Sequence, residues 1–282
     1  MKLARFIADD GERIGAVRED GIVALDTGLD RADDMIALIE RWPHESARLQ
    51  RQAQEGRAVP LARVRLLAPI ERPGKIMAIG LNYADHIAET GMDKPERQLW
   101  FAKMGNTVNG PRDPVQVPRV SAKVDYEVEL VAVIGQGGRH IRAEEAPARV
   151  FGYCVGNDVS VRDWQMQTSQ WVLGKSFDGH APFGPWIVTA DELPDPHRLD
   201  IRCLVNGELR QSSNTRHLVF NVWDQLVHLS QAMTLRAGDL LFTGTPGGVA
   251  AAMRPPAWLR AGDVVRCEIE GIGALENPFV DE

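Results

Sequence analysis

The first residues of the chain alternate between apolar and polar side chains. From Lys2 to Leu25 this alternation runs around two turn signals, Asp10-Gly11 and Asp20-Gly21. A period of two is typical of a strand with one buried face, and Asp-Gly is a frequent hairpin turn. The pattern therefore predicts short strands joined by hairpins at the start of the chain.

The spacing of apolar residues changes over residues 31–56. Apolar positions recur at helical spacing before Pro43, and Leu49 follows within a polar stretch. Because a proline inside a helix removes a hydrogen bond and clashes with the preceding turn, the pattern predicts two short helices that end before Gly56. Together with the preceding strands, these helices predict a small N-terminal α/β module over residues 1–69.

Short β-rich runs separated by Gly and Pro dominate the chain after residue 70. The predicted strands are Lys75 to Ile79, Val128 to Ile134, Pro185 to Val188, Ile201 to Val205, Leu240 to Thr243 and Val264 to Ile269. Helices are few, and the clearest helical spacing lies between Leu218 and Met233. We therefore predict an α+β, mostly β protein, in which residues 70–282 form a sandwich-like or barrel-like catalytic domain.

Three acidic residues alternate along the strand before Leu130. The two-residue period of a strand places Asp125, Glu127 and Glu129 on one face. Neighbouring acids would lie roughly 6.6 Å apart, and they would repel each other by about 2.5 kcal/mol at an effective dielectric constant of ~20. Such a face needs either water or a positive charge opposite it.

Two interpretations fit this acidic strand, a solvated edge strand or one end of a central strand that holds a hard cation. The unbroken apolar run from Leu130 to Ile134 indicates burial on both faces and favours the cation, for which Mg²⁺, Mn²⁺ and Ca²⁺ are the candidates. Asp158, just past a predicted strand, offers a third oxygen ligand. Its alternative role is to cap a helix from Arg162 to Gln165.

A histidine and a glutamate follow the strand that ends near Ile79. His86 and Glu89 are three residues apart, so on a helix they lie on the same face. A carboxylate at this distance orients an imidazole and raises its basicity, as a general base that acts on water requires. The alternative is an exposed helix on which the two residues have no joint role.

Two further segments carry candidate functional groups. Lys175 is the only lysine after Lys123, and its aromatic surroundings favour a partly desolvated ammonium that stabilises an oxyanion. Thr245, in a glycine-rich turn after a predicted strand, offers a hydroxyl and open amides to a carboxylate. The alternatives are a surface lysine and an ordinary turn.

Composition narrows the class of protein. The chain has 282 residues, 44% of them hydrophobic, and a net charge of -7 with scattered arginines. Because the sequence has neither a basic stripe nor a long apolar run, we expect no nucleic-acid partner and no membrane partner. Three widely spaced cysteines fit a reducing, cytoplasmic location. An anionic substrate must then be attracted by a metal or by a few local cations.

These segments, in order and content, resemble the fumarylacetoacetate hydrolase family from Lys75 to the C-terminus. The motifs that carry the resemblance include Ala78-Ile79-Gly80-Leu81-Asn82-Tyr83 with His86 and Glu89, Asp125-Tyr126-Glu127-Val128-Glu129-Leu130, Asn157-Asp158-Val159-Ser160 with Arg162 and Gln165, Gly174-Lys175-Ser176-Phe177-Asp178, and Gly244-Thr245-Pro246. Asn106 marks a departure, since many relatives carry a serine near it.

Within the family, the chain is similar to short bacterial members that act on acylpyruvates and diketo sugar acids. Trp171 to Lys175 and Pro255 to Leu259 resemble the latter group. The resemblance implies a mixed β-sandwich roll, a homodimer, and a Mg²⁺ or Mn²⁺ ion. The ligands that it implies for this ion are Glu127, Glu129 and Asp158.

The resemblance also implies roles for the remaining candidates. His86 with Glu89 would activate water on a mobile segment that orders over the substrate, and Lys175 would assist the developing negative charge. The residues expected to contact the substrate, with Thr245 receiving its carboxylate, are Arg162, Gln165 and Thr245.

The expected reaction is hydrolysis of a C–C bond in a 2,4-dioxo acid, either an acylpyruvate or a 2,4-diketo-3-deoxy sugar acid, to pyruvate and a second acid. One alternative is oxaloacetate decarboxylation or keto–enol isomerisation on the same metal site. Another is a non-catalytic protein that binds small acids.

Overall fold

A computed structural model of the chain describes residues 1–8, 11–29, 31, 34–91 and 93–282. Its strands are β1 (Lys2–Ala8), β2 (Gly11–Arg18), β3 (Gly21–Ala24), β4 (Arg65–Leu67), β5 (Ile76–Gly80), β6 (Leu99–Lys103), β7 (Val108–Asn109), β8 (Val115–Val117), β9 (Val124–Asp125), β10 (Val128–Ile134), β11 (Val150–Asn157), β12 (Ser160–Val161), β13 (Ala181–Thr189), β14 (Asp200–Val205), β15 (Glu208–Asn214), β16 (Leu240–Phe242), β17 (Val264–Ile269) and β18 (Gly273–Asp281).

Helices are shorter and fewer than the strands. The α-helices are α1 (Met35–Glu55), α2 (Ala84–Thr90), α3 (Ala146–Arg149), α4 (Arg162–Gln165) and α5 (Val222–Ala232). Single 3₁₀ turns cover Leu61–Arg63, Gly105–Thr107, Ala143–Glu145, Thr215–His217 and Ala250–Ala252. Strand residues outnumber helical residues, which confirms the predicted α+β, mostly β class. In the described part of the chain, no helix is long and apolar enough to cross a membrane.

Two sheets enclose the main core. Within the described residues, the larger sheet has the order β3-β2-β1-β13-β11-β10-β16-β5-β6, with β4 paired to β1 and β7 paired to β13. The smaller sheet has the order β15-β14-β17-β18-β8, and β12 pairs with β9 separately. Because β10 and β11 pack against β14 and β17, the two sheets form a sandwich. All six strands predicted after residue 70 are present.

Strand β10 occupies the centre of this arrangement and is buried along its whole length. It pairs with β11 on one side and with β16 on the other. Leu130 and Ala132 belong to the core between the sheets, whereas Val131 and Val133 belong to the core beneath α1. This alternation confirms that the apolar run is buried on both faces, and it places the end of β10 that follows Glu127 inside the protein.

The prediction of two short helices before Gly56 is wrong, because α1 is one helix of 21 residues that contains Pro43. A proline at this position removes one helical hydrogen bond. Buried side chains on both sides of it, among them Leu38 and Leu49, pack on the larger sheet and keep the two halves in line. Tertiary packing therefore outweighs the local signal of the proline.

The predicted hairpins lie at the edge of the larger sheet. Strands β2 and β3 pair around Asp20-Gly21, as predicted, whereas Asp10 of the first predicted turn lies outside the described residues. Strand β1 also pairs with β13, with Leu3 opposite Ile187, so the N-terminal segment continues the larger sheet. The division between residues 1–69 and 70–282 stays a prediction.

Helix α5 begins later than the apolar spacing from Leu218 predicts. The side chain of Asn221 accepts a hydrogen bond from the Asp224 amide, and the Asp224 side chain accepts one from the Asn221 amide. This capping box starts the helix at Val222. Two of the residues before Asn221 make other contacts. The Val219 amide donates to the Asn82 carbonyl, and the Phe220 amide donates to the Asn82 side chain, just before α2.

Candidate metal centre and the cavity beside it

Three buried carboxylates converge at the start of β10. Glu127 precedes the strand, Glu129 lies within it, and Asp158 lies between β11 and β12. One oxygen from each lies within 4.8 Å of the others. The backbone fixes this convergence, because the Asp158 amide donates to the Glu127 carbonyl and the Glu127 amide donates to the Asn157 side chain. The structure therefore brings the three predicted ligands together.

The neighbouring residue Asp125 does not join this cluster, although the sequence pattern placed it on the same face. The strand is interrupted at Tyr126 and Glu127, since β9 ends at Asp125 and β10 begins at Val128. The expectation of one regular acidic face is therefore wrong for Asp125. Its carboxylate instead accepts hydrogen bonds from backbone amides and one from Arg162.

Asp158 also does not cap α4. That helix begins after Val161, without a side-chain cap. The Asp158 carboxylate instead lies between two buried lysines, at 2.7 Å from Lys175 Nζ and 2.6 Å from Lys103 Nζ. The helix-cap alternative for Asp158 is thus excluded by its position.

Three cations surround the carboxylates. Lys175 Nζ donates to Glu127 Oε2 and Asp158 Oδ2, at 2.7 Å each. Arg162 links Asp125 to Glu127, with Nε 2.8 Å from Asp125 Oδ2 and Nη2 2.6 Å from Glu127 Oε1. Charged groups this deeply buried are tolerated because each is paired.

Lys103, the third cation, was not identified from the sequence. It closes β6, and its side chain is fully buried against Asp158. The available signal was a lysine at the end of the apolar run Leu99-Trp100-Phe101-Ala102. Burial lowers the pKa of Lys103, while Asp158 opposes this effect. Its partner lies 55 residues away in sequence, so only the folded chain reveals the pairing.

Glu127 and Glu129 differ sharply in their electrostatic surroundings. Burial alone would raise the pKa of Glu127, but Lys175 and Arg162 outweigh it and lower that pKa to about 2. Burial, Asp158 and Glu127 together hold the pKa of Glu129 well above its usual value. The Glu129 carboxylate accepts a hydrogen bond from the Gly244 amide, and no cation of the described residues forms an ion pair with it.

The donor set fits a hard divalent cation. Three carboxylates supply oxygen ligands of the kind that Mg²⁺, Mn²⁺ and Ca²⁺ prefer. Glu129 is the acid that lacks a positive partner among the described residues, and a cation beside it would stabilise its ionised form. The observed pairing of Lys175 with two of the three acids also shows that this lysine helps to balance their charge.

A cavity of about 380 Å³ opens beside the carboxylates. This volume suits a small organic ligand. Eight of the nine predicted site residues line it, and Asp158 lies behind them in the carboxylate cluster. The eight are His86, Glu89, Glu127, Glu129, Arg162, Gln165, Lys175 and Thr245. The structure therefore brings together residues that are spread over about 160 positions of the sequence, from His86 to Thr245.

The His86 and Glu89 side chains face this cavity from α2. His86 Nδ1 lies 3.4 Å from Glu89 Oε2. The Glu89 carboxylate also accepts hydrogen bonds from the Gly248 amide at 3.0 Å, which tie α2 to the loop after β16. His86 is buried, whereas Glu89 is exposed at the rim of the cavity, and a joint role of the two residues stays a prediction.

Gln165 and Thr245 are held by other protein groups. Gln165 Oε1 accepts a hydrogen bond from Arg162. The Thr245 hydroxyl donates to the Val128 carbonyl and accepts from Gln211. Gln211, which the sequence did not single out, also accepts from the Val128 amide and thus ties the glycine-rich turn to β10. That Thr245 receives a substrate carboxylate stays a prediction.

The sequence of this chain matches those of a known family of enzymes. Residues 75–280 match the family model described as fumarylacetoacetate (FAA) hydrolase C-terminal, and residues 1–69 match the model described as Rv2993c-like, N-terminal. A mitochondrial oxaloacetate tautomerase, fahd2 of Xenopus laevis, is 48% identical over 219 residues, which are 77% of this chain and 69% of the relative.

Two solved structures share the fold over the full chain. Maleylpyruvate hydrolase from Sphingobium sp. SYK-6, in complex with manganese(II) and pyruvate, is 35% identical, with a TM-score of 0.86 and coverage of 100% of this chain and 99% of that one. The 5-carboxymethyl-2-hydroxymuconate delta-isomerase from Mycobacterium smegmatis is 35% identical, with a TM-score of 0.80 and coverage of 100% of both chains. The chain belongs to the fumarylacetoacetate hydrolase family.

Proposed function

We propose that the protein is a metal-dependent enzyme that hydrolyses a C–C bond of a 2,4-dioxo acid, releasing pyruvate and a second acid. The observation that carries this proposal is the His86–Glu89 pair, which faces the same cavity as the three carboxylates. Hydrolysis needs a base for water, whereas the binding of an acid does not. The likeness to maleylpyruvate hydrolase over the whole chain supports this reaction class.

Glu127, Glu129 and Asp158 would hold Mg²⁺ or Mn²⁺, and their oxygen atoms are also compatible with Ca²⁺. When bound, such an ion supplies Lewis-acid polarisation of carboxylate and oxo oxygens. The manganese in the maleylpyruvate hydrolase structure supports this choice of metal. The two lysines and Arg162 hold the carboxylates in place, so their geometry does not depend on the ion alone.

The protein's own residues divide the remaining work. His86 takes a proton from the water that attacks the 4-oxo carbon, and it later returns a proton to the departing carbon. Glu89 orients the imidazole and stabilises its charged form, and the Gly248 amide keeps Glu89 in position. Lys175 stabilises negative charge that develops near Glu127 and Asp158.

A second candidate function is keto–enol tautomerisation of oxaloacetate. The observation that favours it is the set of curated relatives described as oxaloacetate tautomerases, which are 45% to 48% identical to this chain. In this reaction His86 would move a proton between carbon and oxygen, without water attack. Decarboxylation of oxaloacetate would use the same cavity.

One set of assays separates these activities. The protein, supplied with Mg²⁺ or Mn²⁺, is incubated with a 2,4-dioxo acid while pyruvate and the second acid are quantified. Hydrolysis predicts equal amounts of both products. Oxaloacetate is tested in parallel, with the loss of enol absorbance reporting tautomerisation and CO₂ release reporting decarboxylation. If metal-loaded protein turned over oxaloacetate but no dioxo acid, the hydrolase proposal would be wrong.

A further inference from the structure

One cationic side chain in the cavity stands apart from the others. Arg254 follows the 3₁₀ turn Ala250–Ala252 and lines the same cavity as His86 and Glu129. The other lining cations, Lys175 and Arg162, each bind two carboxylates of the protein. The charge of Arg254 is the one left for a ligand, because this side chain forms no ion pair with a carboxylate of the described residues.

The hydrogen bonds of Arg254 are made to its own loop. Its Nη1 lies 2.9 Å from the Met253 carbonyl, with longer contacts of 3.4 Å and 3.3 Å to the Ala251 and Ala252 carbonyls. These contacts use one of the two terminal nitrogens, so the edge formed by Nη2 and Nε has no hydrogen bond to the described residues. A carboxylate is the group that such a guanidinium edge binds best.

The loop that carries Arg254, residues 248–254, is held firmly at its base. Asp125 accepts hydrogen bonds from the Ala250 and Ala251 amides at 2.7 Å and 3.1 Å. Tyr126 donates to the Gly248 carbonyl at 3.0 Å. This explains the position of Asp125, which anchors the loop instead of binding the metal. A pre-positioned arginine loses less entropy on binding than one on a free loop.

We propose that Arg254 binds a second carboxylate, at the end of the substrate remote from the metal centre, and so selects dicarboxylic substrates. This inference rests on the proposed function for the position of the reacting end. Arg254 forms no ion pair with Glu127, Glu129 or Asp158, so its charge is left to pair with an anionic group of the ligand. Side chains such as Phe101, Met166 and Trp171 line the cavity and suit the carbon chain between the two ends.

Binding of matched ligands tests the proposal without requiring turnover. Mn²⁺-loaded protein is titrated calorimetrically with 2-oxohexanedioate and with 2-oxohexanoate, which differ in the terminal carboxylate. We expect the wild type to bind the dicarboxylate about 10- to 100-fold more tightly, as for a hydrogen-bonded charge pair. Arg254→Gln should remove this preference while leaving the affinity for 2-oxohexanoate within about twofold, and Arg254→Lys should restore part of the preference.

Arg260→Gln, a nearby exposed arginine, is the matched control and should behave like the wild type. Equal affinity of the wild type for the two ligands would overturn the proposal, as would a dicarboxylate preference that survives in Arg254→Gln. An equal loss of affinity for both ligands would also overturn it, because it would show a structural role for the loop.

Turnover of the corresponding dioxo acids, 2,4-dioxoheptanedioate and 2,4-dioxoheptanoate, separates the two proposals. If the ligand preference depends on Arg254 but neither acid is cleaved, the hydrolase function fails while the carboxylate site stands. If both acids are cleaved equally well by the wild type and by Arg254→Gln, the hydrolase function stands and the carboxylate site fails.

Discussion

The side chains at and beside the cavity fall into two groups with different electrostatic surroundings. In the first group, the buried framework around the candidate metal centre, Glu127 and Asp158 are already paired with lysines and an arginine, so their charges are balanced within the fold. In the second group, His86 is held through Glu89 and a single backbone amide, and Arg254 has no acidic partner among the described residues. Under the proposed function, binding of the ion would depend on the first group, whereas reaction and specificity would depend on the second.

The largest effect should come from a substitution that affects only the second of these groups. His86→Asn removes the base but leaves the carboxylates untouched, so turnover of a dioxo acid should fall about 10²- to 10⁴-fold. The affinity for Mn²⁺ should stay within about twofold of the wild type. Steady-state kinetics and calorimetry check the two values, and His44→Gln, on the exposed side of α1, is the control. A parallel loss of metal binding would show that the two groups do not act separately.

The buried framework should fail when one of its pairs is broken. Lys103→Met leaves Asp158 with Lys175 as its remaining cation and removes a fully buried charge. We expect the free energy of unfolding to fall by about 3–5 kcal/mol. Urea denaturation measures this change, and Lys94→Met, an exposed lysine, should change it by less than about 0.5 kcal/mol. A neutral result for Lys103→Met would show that the pairing does not support the fold.

A smaller effect comes from His180, a buried histidine near the framework that forms no ion pair with an acid of the described residues. Burial lowers the pKa of His180 to about 4, and the hydrogen bond to the Gln116 carbonyl opposes this only in part. In the unfolded chain His180 binds a proton with a pKa near 6.5, whereas in the folded chain it binds the proton only at a pH near 4. Stability is therefore full above pH 6.5 and falls as the pH drops toward 4, by up to about 3 kcal/mol.

His180→Gln checks this pH dependence. The glutamine can still donate to the Gln116 carbonyl, but it cannot bind a proton. Unfolding by urea at several pH values between 7 and 4 should show a shallower loss of stability in this variant than in the wild type. If both proteins lost stability with the same slope over this range, His180 would not be the group responsible.

Much of the layout of the candidate site was predictable because it follows local rules. The unbroken apolar run from Leu130 to Ile134 indicated a strand buried on both faces, and the three-residue spacing of His86 and Glu89 indicated a shared helix face. The family resemblance then grouped Asp158 with Glu127 and Glu129. The structure brings His86, Glu89, Glu127 and Glu129 to one cavity, and Asp158 lies with the two latter glutamates in the carboxylate cluster.

What the sequence did not reveal depends on contacts between distant segments. Lys103 pairs with a residue 55 positions away, and Asp125 leaves the acidic face to hold amides 125 and 126 positions away. Helix α1 passes through Pro43 because the larger sheet packs on both halves. No local pattern contains this information. The homodimer, the cytoplasmic location and the roles of Gln165 and Thr245 toward a substrate stay predictions.

The central claim is that three buried carboxylates hold one divalent ion, and Mn²⁺ binding followed by calorimetry tests it most directly. The wild type should bind one Mn²⁺ per chain, and Glu129→Gln should bind it at least about 100-fold more weakly because it loses a charged ligand. Glu144→Gln, an exposed glutamate, should bind Mn²⁺ like the wild type. Unchanged Mn²⁺ affinity in Glu129→Gln, or no binding by the wild type, would contradict the account.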